Sequence, residues 1–265
     1  MELADEIVKE YNVSISRACK LMDIHRSYSY YTEKKADSEV EQAIREAAEF
    51  GDGFWKIFQR LRHDGMPWNH KKVYRVYKQM HYEKRSKLKK RLPARVRSPL
   101  VIPSEPNTTW PIDFVSDRLQ SGRTFRVLNI IDECDRVAVG QEISMSMPAE
   151  RVIKLLEKVI WLNGKPKNIR CDNGPEFISK TFQEWCKGND INIIYIQPGH
   201  PTQNSIIERF NGSYRRAVLD AYIFRTLHDV RELTEAWMTD YNECRPHESL
   251  DNMTPMEYRE KKKVG

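Results

Sequence analysis

Three acidic residues stand where a fold has little use for them. Asp113 interrupts the apolar run Trp110-Pro-Ile-Asp-Phe-Val115. Asp172 opens Asp172-Asn-Gly-Pro-Glu-Phe177, and Glu208 lies between large apolar neighbours in Asn204-Ser-Ile-Ile-Glu-Arg-Phe-Asn211. Thirty-five residues separate the last two. Carboxylates are the hard oxygen donors that magnesium prefers. Three of them meeting at one point would hold two Mg2+ ions, with Mn2+ able to substitute. One ion would activate a water or 3′-hydroxyl and the other would stabilise the leaving oxygen, the chemistry of phosphoryl transfer on a nucleic acid backbone. Each residue also has an ordinary reading. Asp172-Asn-Gly is a common turn, Asp113 could be a satisfied core aspartate, and a helical glutamate is solvated by default. Their combination on strand, strand and helix favours the chemical reading.

The elements that must position them follow from periodicity. Strand-like runs cover 110–116, 124–131 and 137–143, with turn signals at Ser121-Gly122 and across 132–135. A helix follows Pro148 to about Trp161 and closes at Asn163-Gly164. A short strand at 167–171 leads into Asp172. Then come a helix from Ser179 to Lys187, a strand over Asn192–Ile196, and a long helix from Asn204. The order β-β-β-α-β-α-β-α gives an α/β fold, a mixed sheet covered by helices. Asp172 then lies at the C-terminal end of a strand, where open α/β sheets bind ligands. On the last helix Ile207, Phe210, Tyr214 and Val218 form an apolar stripe for the sheet. Asn204, Glu208, Asn211 and Arg215 form a polar stripe facing the two aspartates and a nucleic acid backbone.

The first third of the chain reads differently. Residues 11–32 suggest two short helices with Ala18, Leu21 and Ile24 inward, and 38–50 suggest another. Phe54 to Leu61 has helical spacing and breaks at His63-Asp-Gly-Met-Pro67. A new helix starts at Asn69 and carries Val73, Val76, Tyr77 and Met80 inward. Helix, Gly-containing turn and basic helix outline a helix-turn-helix, with Lys71, Lys72, Arg75 and Lys78 on its exposed side to meet DNA phosphates. Residues 84–108 read as a basic, proline-containing linker. The expected division is therefore a helical DNA-binding region at 1–83, the linker, and a catalytic domain at 109–265.

Charge supports that division. The chain is +6 overall, yet residues 1–100 hold 22 Lys/Arg against 14 Asp/Glu, so the remainder is mildly acidic. A cationic front on a near-neutral back fits nucleic acid binding joined to catalysis. Five scattered cysteines without a Cys-x-x-Cys pair argue against a disulfide framework or zinc site, and reduced thiols imply the cytoplasm. The chain lacks an apolar run of membrane length and a Gly-rich nucleotide loop, so ATP is not implied. Trp68, Trp110, Trp161, Trp185 and Trp237 read as packing residues. His200, in a Gly/Pro loop, could contact DNA or assist proton transfer, and His247 would fix the C-terminal segment.

Taken together, Trp110-Pro-Ile-Asp-Phe114, Ile169-Arg-Cys-Asp-Asn-Gly-Pro-Glu-Phe177, Gln197-Pro-Gly-His-Pro-Thr-Gln-Asn-Ser-Ile-Ile-Glu-Arg-Phe-Asn211 and Tyr241-Asn-Glu-Cys-Arg-Pro-His-Glu-Ser-Leu250 resemble the DDE transposases of bacterial insertion sequences. The resemblance is to the second-reading-frame type related to retroviral integrases, and it extends over roughly 40–260. It implies a ribonuclease-H-like core of five strands flanked by helices, with Asp113, Asp172 and Glu208 as metal-binding catalytic residues. Arg215 stands where the family often has lysine; arginine keeps the charge but offers a bidentate fork. The implied activity is metal-dependent cleavage at element ends and strand transfer into target DNA, by a homo-oligomer on DNA. In this family the active enzyme is usually a frameshift fusion with an upstream frame. This chain begins at Met1 without a sustained leucine heptad, so it is expected to be the downstream product, with the upstream protein as a partner. The alternatives are a non-catalytic DNA-binding or assembly partner of the fused enzyme and a ribonuclease-H-like nuclease that cuts without joining.

Overall fold

The computed structural model describes residues 2–23, 25, 37–49, 51–83, 102–197 and 201–264. Contacts divide the chain into two compact units, Met1–Gln42 and Ala43–Gly265. In the first, α1 (Glu2–Tyr11) precedes α2 (Ile15–Leu21), whose N-terminus is capped by the Ser14 side chain. Ala18 and Cys19 are buried on α2, whereas Leu21, expected inward, is 69% exposed. Ile24 lies outside the described residues, as do 84–101 of the expected linker. Helix α3 (Ser38–Ala47) follows.

In the second unit α4 (Phe54–His63) and α5 (His70–Gln79) form a hairpin. The turn between them uses Gly65 at φ +75°, a left-handed conformation that glycine adopts without steric cost. The Asn69 side chain caps α5 by accepting from the Lys71 amide at 2.9 Å, which satisfies one of the free N–H groups at a helix start. Ile57 and Leu61 on α4, with Val73, Val76 and Tyr77 on α5, are buried. Phe54 packs edge-on against Tyr74 and Tyr77. An ion network ties this hairpin to the chain far downstream. Arg60 forks onto the Asp240 carboxylate and reaches Asp52 at 3.4 Å, and Asp52 accepts from Arg245 at 2.9 Å.

The sheet has the order β3-β2-β1-β4-β5. Strands β1 (Thr109–Arg118), β2 (Thr124–Ile131) and β3 (Ala138–Ser144) form an antiparallel meander. Strands β4 (Asn168–Cys171) and β5 (Asn192–Tyr195) run parallel to β1. This is the mixed five-stranded sheet expected from the sequence, and period-two alternation sorts its side chains into two cores. Trp110, Ile112, Leu128, Ile130, Ile169 and Cys171 pack with α6 (Ala149–Asn163) and α7 (Lys180–Gly188). Val115, Val127 and Ile131 pack on the other face with α8 (Ser205–Tyr214) and α9 (Leu227–Thr239). The apolar stripe Ile207, Phe210, Tyr214 and Val218 is buried in this second core. A π-helical turn, Arg215–Leu219, extends α8, and α10 (Pro255–Val264) ends the chain.

Gly140 marks a close approach of β3 to α6, since a Cβ there would sit 2.5 Å from Val159 Cγ2. Trp110 and Trp237 are fully buried, but Trp161 is 84% exposed. Its position at the end of α6 points away from the sheet, so it is not the packing residue expected. All five cysteines are free thiols. No helix among the described residues is long and apolar enough to cross a membrane.

Candidate active site

Strand register brings the two aspartates together. Parallel pairing of β1 and β4 sets Pro111 opposite Arg170, so two residues further along each chain Asp113 and Asp172 reach the same end of the sheet, on the α8 face. Strand β4 stops at Cys171 and releases Asp172 into a turn. There the Asp172 Oδ1 accepts from the Gly174 amide at 2.9 Å. A Cβ on Gly174 would lie 2.9 Å from that oxygen and 3.2 Å from Glu176 Oε2, so a side chain there would displace both carboxylates. Glu176 is paired with Arg126 of β2, and the Arg126 guanidinium lies 3.8 Å from the Phe114 ring centroid. Phe114 stacks on Phe177 at 5.2 Å. These contacts clamp the loop that carries Asp172 onto the strand that carries Asp113.

Glu208 occupies the first turn of α8 and is solvent-exposed. A helix N-terminus favours negative charge there. One turn later on the same stripe, Asn211 is only 8% exposed. Its Nδ2 donates to Asp113 Oδ2 at 2.7 Å, and its Oδ1 accepts from Asn129 Nδ2 at 2.6 Å. The Asn129 Oδ1 in turn accepts from Gln141 Nε2. A relay of three amides from β3 through β2 and α8 thus ends on the Asp113 carboxylate. Burial pushes that carboxyl up to about 6, and the charges of Asp172 and Glu208 add to the rise; hydrogen bonds from the Phe114 amide and Asn211 oppose it. Asp113 therefore senses both other carboxylates. Among the described residues no three His, Cys, Asp or Glu side chains are close enough to form a finished cage for an ion. Asp172 and Glu208 are both exposed and face open space.

The remaining sequence-selected residues fall at several places. Arg215 Nη2 donates to the Ser116 carbonyl at 2.8 Å, and its Nη1 lies 3.7 Å from Asp220, so it borders the far end of β1. Asn204 is buried, and its Oδ1 lacks a partner. His200 lies outside the described residues. Lys71 and Lys78 are exposed on α5, and Lys72 and Arg75 are partly so; Lys78 pairs with Glu83 at 3.5 Å. None of these four adjoins the carboxylates in sequence or strand register. His247 packs edge-on against Tyr241 at 4.7 Å and its backbone bridges to Met253, which fixes the C-terminal segment as expected. Sequence reasoning missed Asn129, Gln141, Arg126 and Glu176. Asn129 carried a signal, since it breaks the apolar run Val127-Leu-Asn-Ile-Ile131 as Asp113 breaks its own.

Two models described as integrase core domain match the chain, over residues 103–201 and 189–255. The chain is 34% identical over 260 residues to an uncharacterized 31.7 kDa protein of insertion element IS407 from Burkholderia multivorans, covering 96% of this chain and 94% of that protein. It is 35% identical over 206 residues to an uncharacterized 39.2 kDa protein of IS476 from Xanthomonas euvesicatoria, covering 78% of this chain and 60% of that one. Among solved structures, a chain of a simian T-cell lymphotropic virus intasome in complex with a PP2A regulatory subunit superposes with a TM-score of 0.52. The identity is 16%, over 82% of this chain and 74% of that one.

Proposed function

The chain belongs to the DDE transposases of bacterial insertion sequences, second-reading-frame type, with a ribonuclease-H-like integrase core, and on that premise we propose that it cuts DNA at the ends of its element and joins the freed 3′ ends to target DNA. The observation that carries this reading is that Asp113 lies within electrostatic reach of both Asp172 and Glu208, so that burial and these two charges raise it to about 6. Carboxylates crowded in this way ionise more readily beside a cation, and their hard oxygens suit Mg2+ or Mn2+. Asp113, Asp172 and Glu208 would hold the metal. When bound, two such ions would activate the attacking water or 3′-hydroxyl and stabilise the leaving oxygen.

The chain's own residues supply positioning. Asn211 orients the Asp113 carboxylate through its 2.7 Å hydrogen bond. The Gly174 amide holds Asp172, and the Arg126–Glu176 pair steadies its loop. Glu208, on an exposed helical turn, can swing toward the aspartates by rotamer change. Arg215 and Asn204 would contact the DNA strand, and His200, outside the described residues, is assigned the same role from the sequence alone. Lys71, Lys72, Arg75 and Lys78 would contact backbone phosphates, which position without reading sequence. Action as a homo-oligomer on DNA, and cooperation with an upstream-frame product, form part of the same proposal.

The test is a joining assay. The protein, a labelled duplex carrying the element's terminal sequence and a supercoiled plasmid are mixed with Mg2+. Labelled plasmid is the expected product. Cleavage without joining would make the chain a nuclease, and DNA binding without either would make it an assembly partner of the fused enzyme.

A further inference from the structure

A second charged site lies on the neighbouring face of α8. Ser205, Arg209, Ser213 and Arg216 follow one another at helical spacing, one residue and so about 100° round the helix from the stripe that bears Glu208. Two adjoining cavities of about 320 and 350 Å3 open beside this stripe and share Lys56, Arg209, Ser213 and Arg245. Their linings hold five cations (Lys56, Arg136, Arg209, Arg216 and Arg245) against two carboxylates, Asp52 and Glu248. Asp52 is already shared by Arg60 and Arg245. Arg209 and Arg216 are exposed and make no ion pair among the described residues. Arg136 is partly buried and donates to the Glu133 carbonyl, and the Glu133 carboxylate, ion-paired with Arg170, also acts on its charge. Burial lowers the Arg136 pKa.

The floor has a different chemistry. Ile131, Phe210 and Tyr241 line the cavity of about 320 Å3, and all three are buried. Two polar atoms of the lining residues are buried beneath it and lack partners. Arg245 is 6% exposed, and its buried Nε donates to nothing. His247 Nε2 is likewise buried and unpaired. The ring hydrogen-bonds to the Tyr241 backbone, which leaves Nε2 as an acceptor. A cationic rim over an apolar floor matches a phosphate joined to an aromatic base. A paired duplex is convex and too wide to enter, whereas a cavity near the lower end of the roughly 300–1,000 Å3 range of small-ligand pockets takes one unit.

We propose that this cavity receives a single unpaired nucleotide of the DNA strand beside the scissile bond. Arg209 and Arg216 hold its phosphate, and its base lies on the Phe210–Tyr241 floor. That contact is apolar packing, one of the ways an extruded base is held. The inference rests on the strand-transfer reading above and deepens it, because Arg209 directly follows Glu208 in the chain.

The test uses the full chain, two probes and fluorescence anisotropy. The probes are a blunt duplex and the same duplex with a three-nucleotide single-stranded extension. The wild-type chain should bind the extended probe about tenfold more tightly, the order expected for one stacked base. Arg209→Ala with Arg216→Ala should bring that preference within twofold. Ser213→Trp, which fills the cavity and leaves its charge intact, should do the same; thermal unfolding checks that both variants fold. Persistence of the preference in both variants overturns the assignment. So does equal displacement of both probes by inorganic tripolyphosphate, which would mark a general anion site. Blunt duplex bound without preference sinks the nucleotide pocket alone, whereas no binding of either probe sinks the strand-transfer reading along with it.

Discussion

The amide relay behind Asp113 makes the sharpest prediction. Asn211→Ala removes a donor to Asp113 and an acceptor from Asn129, whose side chain is fully buried. The Asp113 oxygen is near enough to solvent for water to replace the lost donor. Asn129 Nδ2 has no such recourse, and an unsatisfied buried donor costs roughly 1–3 kcal/mol. For a domain of this size Tm falls by about 2–4 °C per kcal/mol, so a fall of roughly 2–12 °C is expected. Activity should fall further than stability explains. An unrestrained carboxylate samples several rotamers, and a misplacement of about 1 Å costs on the order of 100-fold. The control is the double variant Asn129→Leu with Asn211→Leu. Replacing both partners by apolar groups removes most of the desolvation cost, though Gln141 Nε2 then loses its acceptor. The double variant should regain about half the lost stability and none of the activity. Thermal unfolding and single-turnover cleavage of a labelled element end measure the two effects. An Asn211→Ala protein that melts early yet cleaves at the wild-type rate would refute the positioning role.

Three further outcomes follow from the packing and charges. Gly140→Ala would drive a methyl group into Val159 Cγ2 and should destabilise by about 1–3 kcal/mol; adding Val159→Ala should restore much of this in denaturant melts. Arg60→Met should cost about 3–5 kcal/mol, because it strands the Asp240 carboxylate, which is only 9% exposed; a loss under 1 kcal/mol in urea unfolding would show that water replaces the guanidinium. His247 is held well below its ordinary value, to about 3, first by burial and then by Arg245 and Lys56. Arg136 also faces it, and the Tyr241 carbonyl opposes the shift. Its unfolded form binds a proton near pH 6.5 that the folded form refuses, so stability is lost as pH falls below about 6.5 toward 3. His247→Gln should flatten that acid limb by about one proton, and an unchanged slope in pH-dependent melts would contradict the assignment.

What the sequence disclosed depended on how local the cause was. The strands and α5 through α8 were legible because their periodicity, the Ser179 and Asn69 caps and the Gly164 stop are set by neighbours along the chain. Asp113 was legible as a polar break in an apolar strand, and its parallel partner could be guessed from Asp172 at a strand end. The relay was not, since Gln141, Asn129 and Asn211 meet only through sheet register and the pitch of α8. Asn211 read as a DNA contact on the polar stripe, yet its amide is spent inside, on Asp113 and Asn129. Leu21 and Trp161 read as inward from composition, but short or terminal helical turns have no sheet above them. The cationic cavity was also beyond reach, because it gathers Lys56, Arg136, Arg209 and Arg245 from four distant segments.

The carboxylate trio is tested most directly by Glu208→Gln, which keeps shape and removes one negative charge from an exposed side chain with little structural burden. Cleavage of a labelled element end in Mg2+ should fall below detection, while anisotropy shows the same DNA bound as tightly as by the unaltered chain. Cleavage at a near-normal rate by Glu208→Gln would contradict the account.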